Sequence, residues 1–251
     1  MKTHKALVCF VTGGDPPIEQ LPEILSALSD GGADIIEIGI PFSDPIADGP
    51  TIQAASQRAL DRGTTVDQIF DAVQNARIDK PIVFMGYTNT AMRVGFDSFA
   101  KRAAATGASG VILSDLAPDD CAEWMVAAKS HRLDSIFLAA PTSTHDRIAL
   151  IVKNSTGFVY CVSRTGVTGV DSEVPLDVAL TVSRIKEHTE LPVYVGFGIS
   201  TPEHVRMVCD VADGAVVGSH IVSFLHHEWN NGEGRGKFET MIRSLKAATE
   251  A

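Results

Sequence analysis

Short apolar runs alternate along the whole chain with longer stretches in which apolar residues recur every three or four positions. The short runs are typical of parallel strands that are buried on both faces, and the longer stretches are typical of amphipathic helices. The pattern predicts strands at residues 6–11, 35–38, 82–85, 110–113, 135–139, 158–162, 193–196 and 214–217.

Helix-like sequence follows each of these eight strands. Helices are predicted from the turn at 13–17 to about residue 29, at 51–62, 66–76, 96–105, 119–129, 146–152, 176–188 and 202–208, and from 220 onward with a break at 230–234. No linker or shift in composition divides the chain. The pattern therefore predicts an α/β fold, with residues 1–251 forming one domain that is a (β/α)8 TIM barrel.

Composition and charge narrow the class of function. The chain has 251 residues, 45% hydrophobic and 21% charged, and a formal net charge of −10. This charge disfavours binding to nucleic acid or to an anionic membrane. Cys9, Cys121, Cys161 and Cys209 form no Cys-x-x-Cys pair, so we expect buried free thiols in a reducing cytoplasm and no metal site.

Residues 34–51 carry the carboxyl groups that we expect to do chemistry. Glu37 lies in a run of isoleucines, where an ionised side chain is costly unless something uses it. Since side chains alternate along a strand, Ile36 and Ile38 share one face while Glu37 faces the barrel centre. With Asp48 on the loop that follows, this arrangement predicts an acid–base site. From this pattern alone, an ion pair with a buried Lys or Arg is an equally good interpretation of Glu37.

Glycine-rich turns follow the last three predicted strands, at residues 165–169, 196–200 and 217–220. Glycine lets backbone N–H groups approach an anion, and the last of these turns leads directly into a helix. Many barrels bind phosphate in the loops after their seventh and eighth strands. Together the three turns predict a site for the phosphate of a small substrate, although each one alone could be a tight turn.

The longest motif in the chain, residues 37–53, resembles the signature of a known family. Glu37-Ile-Gly-Ile-Pro-Phe-Ser-Asp-Pro-Ile-Ala-Asp-Gly-Pro-Thr-Ile-Gln53 resembles the signature of the tryptophan synthase alpha subunit family. Residues 10–16 resemble the first strand and turn of that family, and residues 160–169, 196–200 and 217–219 resemble its later motifs in the same order. The resemblance extends over nearly the whole chain.

The resemblance implies a lyase that cleaves indole-3-glycerol phosphate to indole and glyceraldehyde 3-phosphate in a retro-aldol reaction. It implies that Glu37 shuttles the proton, that Asp48 hydrogen-bonds the indole N–H, and that Tyr160 positions Glu37 and the substrate. It also implies that substrate and phosphate are bound by Phe10, Tyr87, Thr168, Gly169, Phe197, Gly198, Gly218 and Ser219.

The resemblance further implies a cytoplasmic protein with a partner. Family members work in an α2β2 complex with a β subunit, which joins indole to serine with pyridoxal phosphate. Pro41 and Asp44 are the expected contacts, and this chain itself would hold no cofactor or metal. Relatives usually carry a helix before the first strand, whereas here the strand begins almost at Met1, so we expect most of that helix to be missing.

Three other functions compete with this interpretation. Another phosphate-binding barrel enzyme, such as an isomerase, is disfavoured by the motif that joins Glu37 to Asp48. A non-catalytic relative is disfavoured because Glu37, Asp48 and Tyr160 are all present. A free-standing lyase that needs no partner stays open, since a partner surface cannot be read from one sequence.

Overall fold

Nine parallel strands form a nearly closed barrel in this computed structural model, which describes residues 5–163, 176–196 and 198–250. The strands are β1 Ala6–Thr12, β2 Ile35–Gly39, β3 Ile82–Gly86, β4 Gly110–Leu113, β5 Asp134–Ile136, β6 Leu138–Ala139, β7 Val159–Val162, β8 Val193–Gly196 and β9 Gly214–Val217. Their order in the sheet is β5-β4-β3-β2-β1-β9-β8-β7-β6. This architecture confirms the predicted TIM barrel.

The fifth predicted strand occurs as two short strands. β5 pairs with β4 and β6 pairs with β7, so the chain changes neighbours at Phe137, which lies between them. The carbonyl of Phe137 still accepts a hydrogen bond from the Tyr160 N–H at 3.1 Å. β5 and β6 are thus the two ends of the sheet order, and together they occupy the place of the single strand predicted at 135–139.

Helices lie between the strands and cover the barrel. They are α1 Leu21–Gly31, α2 Pro50–Asp61, α3 Val66–Ala76, α4 Thr88–Val94, α5 Phe96–Ala105, α6 Ala122–Ser130, α7 His145–Asn154, α8 Leu176–Lys186, α9 Pro202–Val211, α10 Ser219–Glu228 and α11 Arg235–Ala247, with single 3-10 turns at Ile18–Gln20 and Asn230–Gly232. The sequence did not predict α4, because its seven residues, which are followed by Gly95, are too few to show a helical period.

The two faces of each strand belong to different apolar layers. Along β1, Leu7, Cys9 and Val11 pack among the helices, while Val8 and Phe10 lie inside the barrel. This alternation is the period of two that a strand imposes on its side chains. It places every second residue of a strand in the barrel centre, where the candidate site lies.

The four cysteines are free and buried, as predicted. Across the described ranges, no helix is long and apolar enough to span a bilayer. Nor do three His, Cys, Asp or Glu side chains of these same residues come together as a metal ion would require. The division of residues 1–251 into one domain stays a prediction.

Candidate active site

Glu37 points from the middle of β2 into the barrel. Ile36 and Ile38 pack in the outer layer, so the predicted alternation is confirmed. The Glu37 side chain is 1% exposed, and neither of its carboxyl oxygens has a hydrogen-bond partner among the described residues. Burial, and secondarily the nearby charge of Asp48, raises the pKa of Glu37 to about 8. A carboxyl group with this pKa keeps its proton at neutral pH and can donate it.

Asp48 lies on the loop between β2 and α2, which contains no helix or strand from Pro41 to Gly49. Two hydrogen bonds to backbone carbonyls hold this loop: the Asp48 N–H donates to the Pro45 carbonyl at 3.0 Å, and the side-chain Nε2 of Gln53 donates to the Asp48 carbonyl at 2.8 Å. Burial raises the pKa of Asp48, although less than it would without the hydrogen bond from Tyr87.

Tyr87 supports Asp48 from the end of β3. Its hydroxyl donates to Asp48 Oδ2 at 3.0 Å and accepts from the Ala47 N–H at 3.0 Å. The Tyr87 ring stacks on Phe42 with 4.8 Å between centroids. The hydroxyl of Tyr87 therefore fixes both the backbone and the carboxylate of the loop. The role of Tyr87 in binding substrate stays a prediction, since its ring contacts Phe42 and it does not line the cavity around Glu37.

Two glycines make room for the aromatic residues inside the barrel. A Cβ added to Gly196 on β8 would lie 2.2 Å from the Tyr160 hydroxyl, and one added to Gly39 on β2 would lie 2.5 Å from Cζ of Phe10. No side chain larger than hydrogen fits at either position unless a ring moves. The strands that flank the site thus carry glycine where Tyr160 and Phe10 must lie.

One cavity brings together most of the predicted site residues that the structure describes. Seven of them line it, namely Phe10, Glu37, Asp48, Tyr160, Gly198, Gly218 and Ser219. Gly198 has a positive φ of 78°, a conformation that favours glycine. Ser219 is the first residue of α10, so the N-terminus of that helix borders the cavity.

Besides Tyr87, five predicted residues lie elsewhere or outside the described residues. Thr168, Gly169 and Phe197 fall among residues that the structure does not describe. Pro41 is buried and lines a neighbouring groove with Phe42 and Asn89, whereas Asp44 is exposed on the loop before Asp48. Neither Pro41 nor Asp44 lines the cavity around Glu37.

Sequence reasoning missed three apolar residues that line the same cavity, Ile52, Met85 and Val216. Met85 and Val216 occupy inward positions of β3 and β9, so the alternation along those strands could have found them. Ile52 lies in the first turn of α2, and the periodicity of a strand gives no signal for it.

Comparisons with known proteins match nearly the whole chain to a single family. The sequence model of a family described as "Tryptophan synthase alpha chain" matches residues 1–250. A tryptophan synthase alpha chain from Geobacter sulfurreducens is 46% identical over 248 residues, which are 98% of this chain and 94% of the relative.

Solved structures give the same result. A tryptophan synthase structure from Mycobacterium tuberculosis superposes with a TM-score of 0.89 at 37% identity, covering 99% of this chain and 94% of the other. The tryptophan synthase subunit alpha from Legionella pneumophila superposes with a TM-score of 0.89 at 33% identity, covering 98% and 93%. With this sequence match along the chain and this barrel, the protein belongs to the tryptophan synthase alpha chain family.

Proposed function

We propose that this chain cleaves indole-3-glycerol phosphate to indole and glyceraldehyde 3-phosphate, and that Glu37, Asp48 and Tyr160 carry out the reaction. The observation that carries the proposal is the state of Glu37, a buried carboxyl group without a hydrogen-bond partner among the described residues, facing the cavity that Asp48 also lines. Burying such a group costs free energy, and a reaction that needs a proton donor accounts for it.

The proton cycle balances with Glu37 alone as donor and acceptor. Glu37 gives its proton to indole C3, and the ring nitrogen then carries positive charge. The bond between C3 and the glycerol carbon breaks, and its electron pair returns to the indole ring. The hydroxyl on that carbon loses its proton to the Glu37 carboxylate and becomes the aldehyde, which restores the starting acid. A pKa of about 8 suits both directions of transfer near neutral pH.

Asp48 would stabilise the positive charge on the indole nitrogen by accepting a hydrogen bond from its N–H. The bond from the Tyr87 hydroxyl favours the ionised form of Asp48, which is the form that this role requires. Glu37 and Asp48 would thus have opposite protonation states at neutral pH, as acid–base pairs in enzymes commonly do. Tyr160 would position Glu37 and the substrate from across the cavity.

The substrate would lie between an apolar wall and a phosphate cradle. Phe10, Ile52 and Met85 would contact the indole ring from the cavity wall. Backbone N–H groups at Gly218 and Ser219, at the start of α10, would bind the phosphate, since the N-terminus of a helix attracts anions. By family resemblance Gly169, Gly198, Thr168 and Phe197 would complete the site, and Tyr87 would flank the glycerol chain.

The same proposal includes the partner and the cofactor. This chain would bind a tryptophan synthase β subunit in an α2β2 complex in the cytoplasm and pass indole to it, with Pro41 and Asp44 at the contact. Acid–base chemistry by two carboxyl groups needs no cofactor in this chain, and pyridoxal phosphate would belong to the β subunit.

Indole release from indole-3-glycerol phosphate tests the proposal. Wild type and Glu37→Gln are assayed with and without a β subunit, and each variant is checked for folding by circular dichroism. We expect wild type to release indole, faster when the β subunit is present, and Glu37→Gln to release almost none. Fast turnover that the β subunit does not change would instead indicate a free-standing lyase. No indole from folded wild type in either case would refute the proposed reaction.

A further inference from the structure

Asp15 is a buried carboxylate that pairs with two partly exposed arginines, and the proposed mechanism does not use it. It follows β1 and is 3% exposed. Its carboxylate accepts from Arg58 Nε at 3.1 and 3.2 Å, from Arg58 Nη2 at 2.6 Å and from Arg62 Nη1 at 2.9 Å. Arg62 Nη1 also donates to the Gly14 carbonyl at 3.0 Å. Two-pronged arginine contacts of this kind fix position and angle together.

Both arginines belong to the last part of α2 or to its C-terminal cap. The helix also packs on β1 and α10, but among the residues that the structure describes its fully buried ones are small, namely Ala55, Ser56 and Ala59. Such small side chains remove little apolar area from water. The cluster of Asp15, Arg58 and Arg62 is therefore a main connection between α2 and the turn after β1.

The opposite end of the same helix carries the catalytic loop. Asp48 lies two residues before Pro50, where α2 begins, and Gln53 in the first turn donates to the Asp48 carbonyl at 2.8 Å. Ile52 in that turn lines the cavity with Glu37. Arg58 and the first turn belong to one continuous hydrogen-bonded helix, so a shift of the helix at Arg58 would reach the first turn and Asp48.

We propose that Asp15 is a positioning residue for the alpha reaction. With Arg58 and Arg62 it fixes α2, and through the first turn of α2 it sets where the Asp48 carboxylate meets the indole N–H. This inference rests on the role proposed for Asp48. Small displacements of a group that stabilises a transition state lower turnover strongly, while they change substrate binding less.

The test compares Asp15→Asn with Asp34→Asn, the same substitution at an ion pair near the start of β2. Asp34 pairs with Lys246 at 2.8 Å and accepts from the Leu7 N–H at 2.7 Å. We expect Asp15→Asn to lower kcat of indole release about 10- to 100-fold with less than about a threefold change in KM. Asp34→Asn should lower Tm and leave kcat and KM within about twofold of wild type.

A double-mutant cycle with Asp48→Asn separates positioning from loss of structure. If Asp15 acts through Asp48, Asp15→Asn should cost little further turnover once Asp48→Asn is present. Costs that multiply, or a kcat of Asp15→Asn equal to that of wild type, would overturn the inference. An Asp48→Asn variant with full activity would instead refute the role of Asp48 itself.

Arginine variants keep the test decisive if Asp15→Asn does not fold. Arg62 makes the more peripheral contact, so Arg62→Met should fold and lower kcat in the same direction by a smaller factor. Arg58→Lys, which keeps the charge, should recover part of the turnover lost in Arg58→Met. Unchanged kcat in both Arg62→Met and Arg58→Met would overturn the inference.

Discussion

Asp15 and Glu37 are the two buried carboxyl groups among the described residues, and they lie on neighbouring parts of the barrel with opposite surroundings. Two guanidinium groups surround Asp15, whereas Glu37 has no hydrogen-bond partner within the described chain. The arginines offset the cost of burying a charge at Asp15. At Glu37 nothing offsets that cost, so the proton remains bound and is available to a substrate. Burial alone thus does not tell a structural carboxyl group from a reactive one, but its partners do.

The largest expected difference between the two groups is in turnover. Glu37→Gln keeps the size of the side chain and removes its proton, so kcat for indole release should fall by about 1,000-fold, within the range of general acid–base catalysis. Wild type must take up a proton at Glu37 when it folds at pH 7, and the amide need not, so the Tm of the variant should equal or exceed that of wild type. Steady-state kinetics and thermal unfolding check both. A variant with kcat within about tenfold of wild type would contradict the assignment of Glu37.

For the free energy of unfolding, we expect the larger loss at Asp15 and not at Glu37. Asp15→Asn leaves Arg58 and Arg62 without their counter-charge, so the free energy of unfolding should fall by about 2–3 kcal/mol. This is less than the roughly 3–5 kcal/mol that breaking a fully buried ion pair costs, because the two arginine side chains are 28% and 39% exposed and reach solvent. Urea unfolding at pH 7 measures the change. An unfolding curve that overlays wild type would show that the cluster does not hold α2.

The pH dependence of the free energy of unfolding is a third property in which Glu37 should differ from Asp15. Its pKa of about 8 in the folded state lies above the ordinary value of 4.5, so the folded protein binds more protons than the unfolded chain between these values. The stabilisation from this group is complete below about pH 4.5 and is lost as pH rises through about 8.

Glu37→Gln removes this dependence. The stability of the variant relative to wild type should therefore increase between pH 5 and pH 8, by at most about 1.4 kcal/mol per pH unit. Urea unfolding of both proteins across this range provides the comparison, with Asp34→Asn as a control that keeps Glu37. A constant difference between Glu37→Gln and wild type would show that Glu37 has an ordinary pKa in the folded protein.

The smallest expected effect concerns Asp48. Its carboxylate accepts a hydrogen bond from Tyr87, so its surroundings are intermediate between those of Asp15 and Glu37. Tyr87→Phe removes the hydroxyl that donates to Asp48 and keeps the ring on Phe42. One hydrogen bond to a carboxylate contributes about 1.5–3 kcal/mol, so we expect kcat to fall about tenfold or somewhat more. Unchanged kcat would mean that the loop holds Asp48 without help from Tyr87.

Local rules predicted much of this site. The period of two along β2 predicted that Glu37 faces the barrel centre, and the proline- and glycine-rich residues after it predicted an irregular loop that carries Asp48. Glycines at the ends of the last strands predicted the turns that border the cavity at Gly198 and Gly218.

Contacts between distant residues could not be predicted in this way. Asp15 and Arg58 are 43 positions apart, and Asp48 and Tyr87 are 39 positions apart. No periodicity within one element indicates such pairs, since they form only when the barrel brings β1, β3 and α2 together. For the same reason the sequence left open whether Glu37 has a buried cation beside it. The structure shows that the arginines pair with Asp15 instead.

The central claim is that Glu37 carries a proton at neutral pH and gives it to the substrate. Infrared difference spectra of wild type minus Glu37→Gln, recorded from pH 5 to pH 9.5, observe this proton directly. We predict a band of a protonated carboxyl group at pH 6 to 7 that disappears with a midpoint near pH 8, along with a decline in kcat/KM over the same range. A carboxylate band already present at pH 6, in an enzyme that still releases indole, would contradict the account.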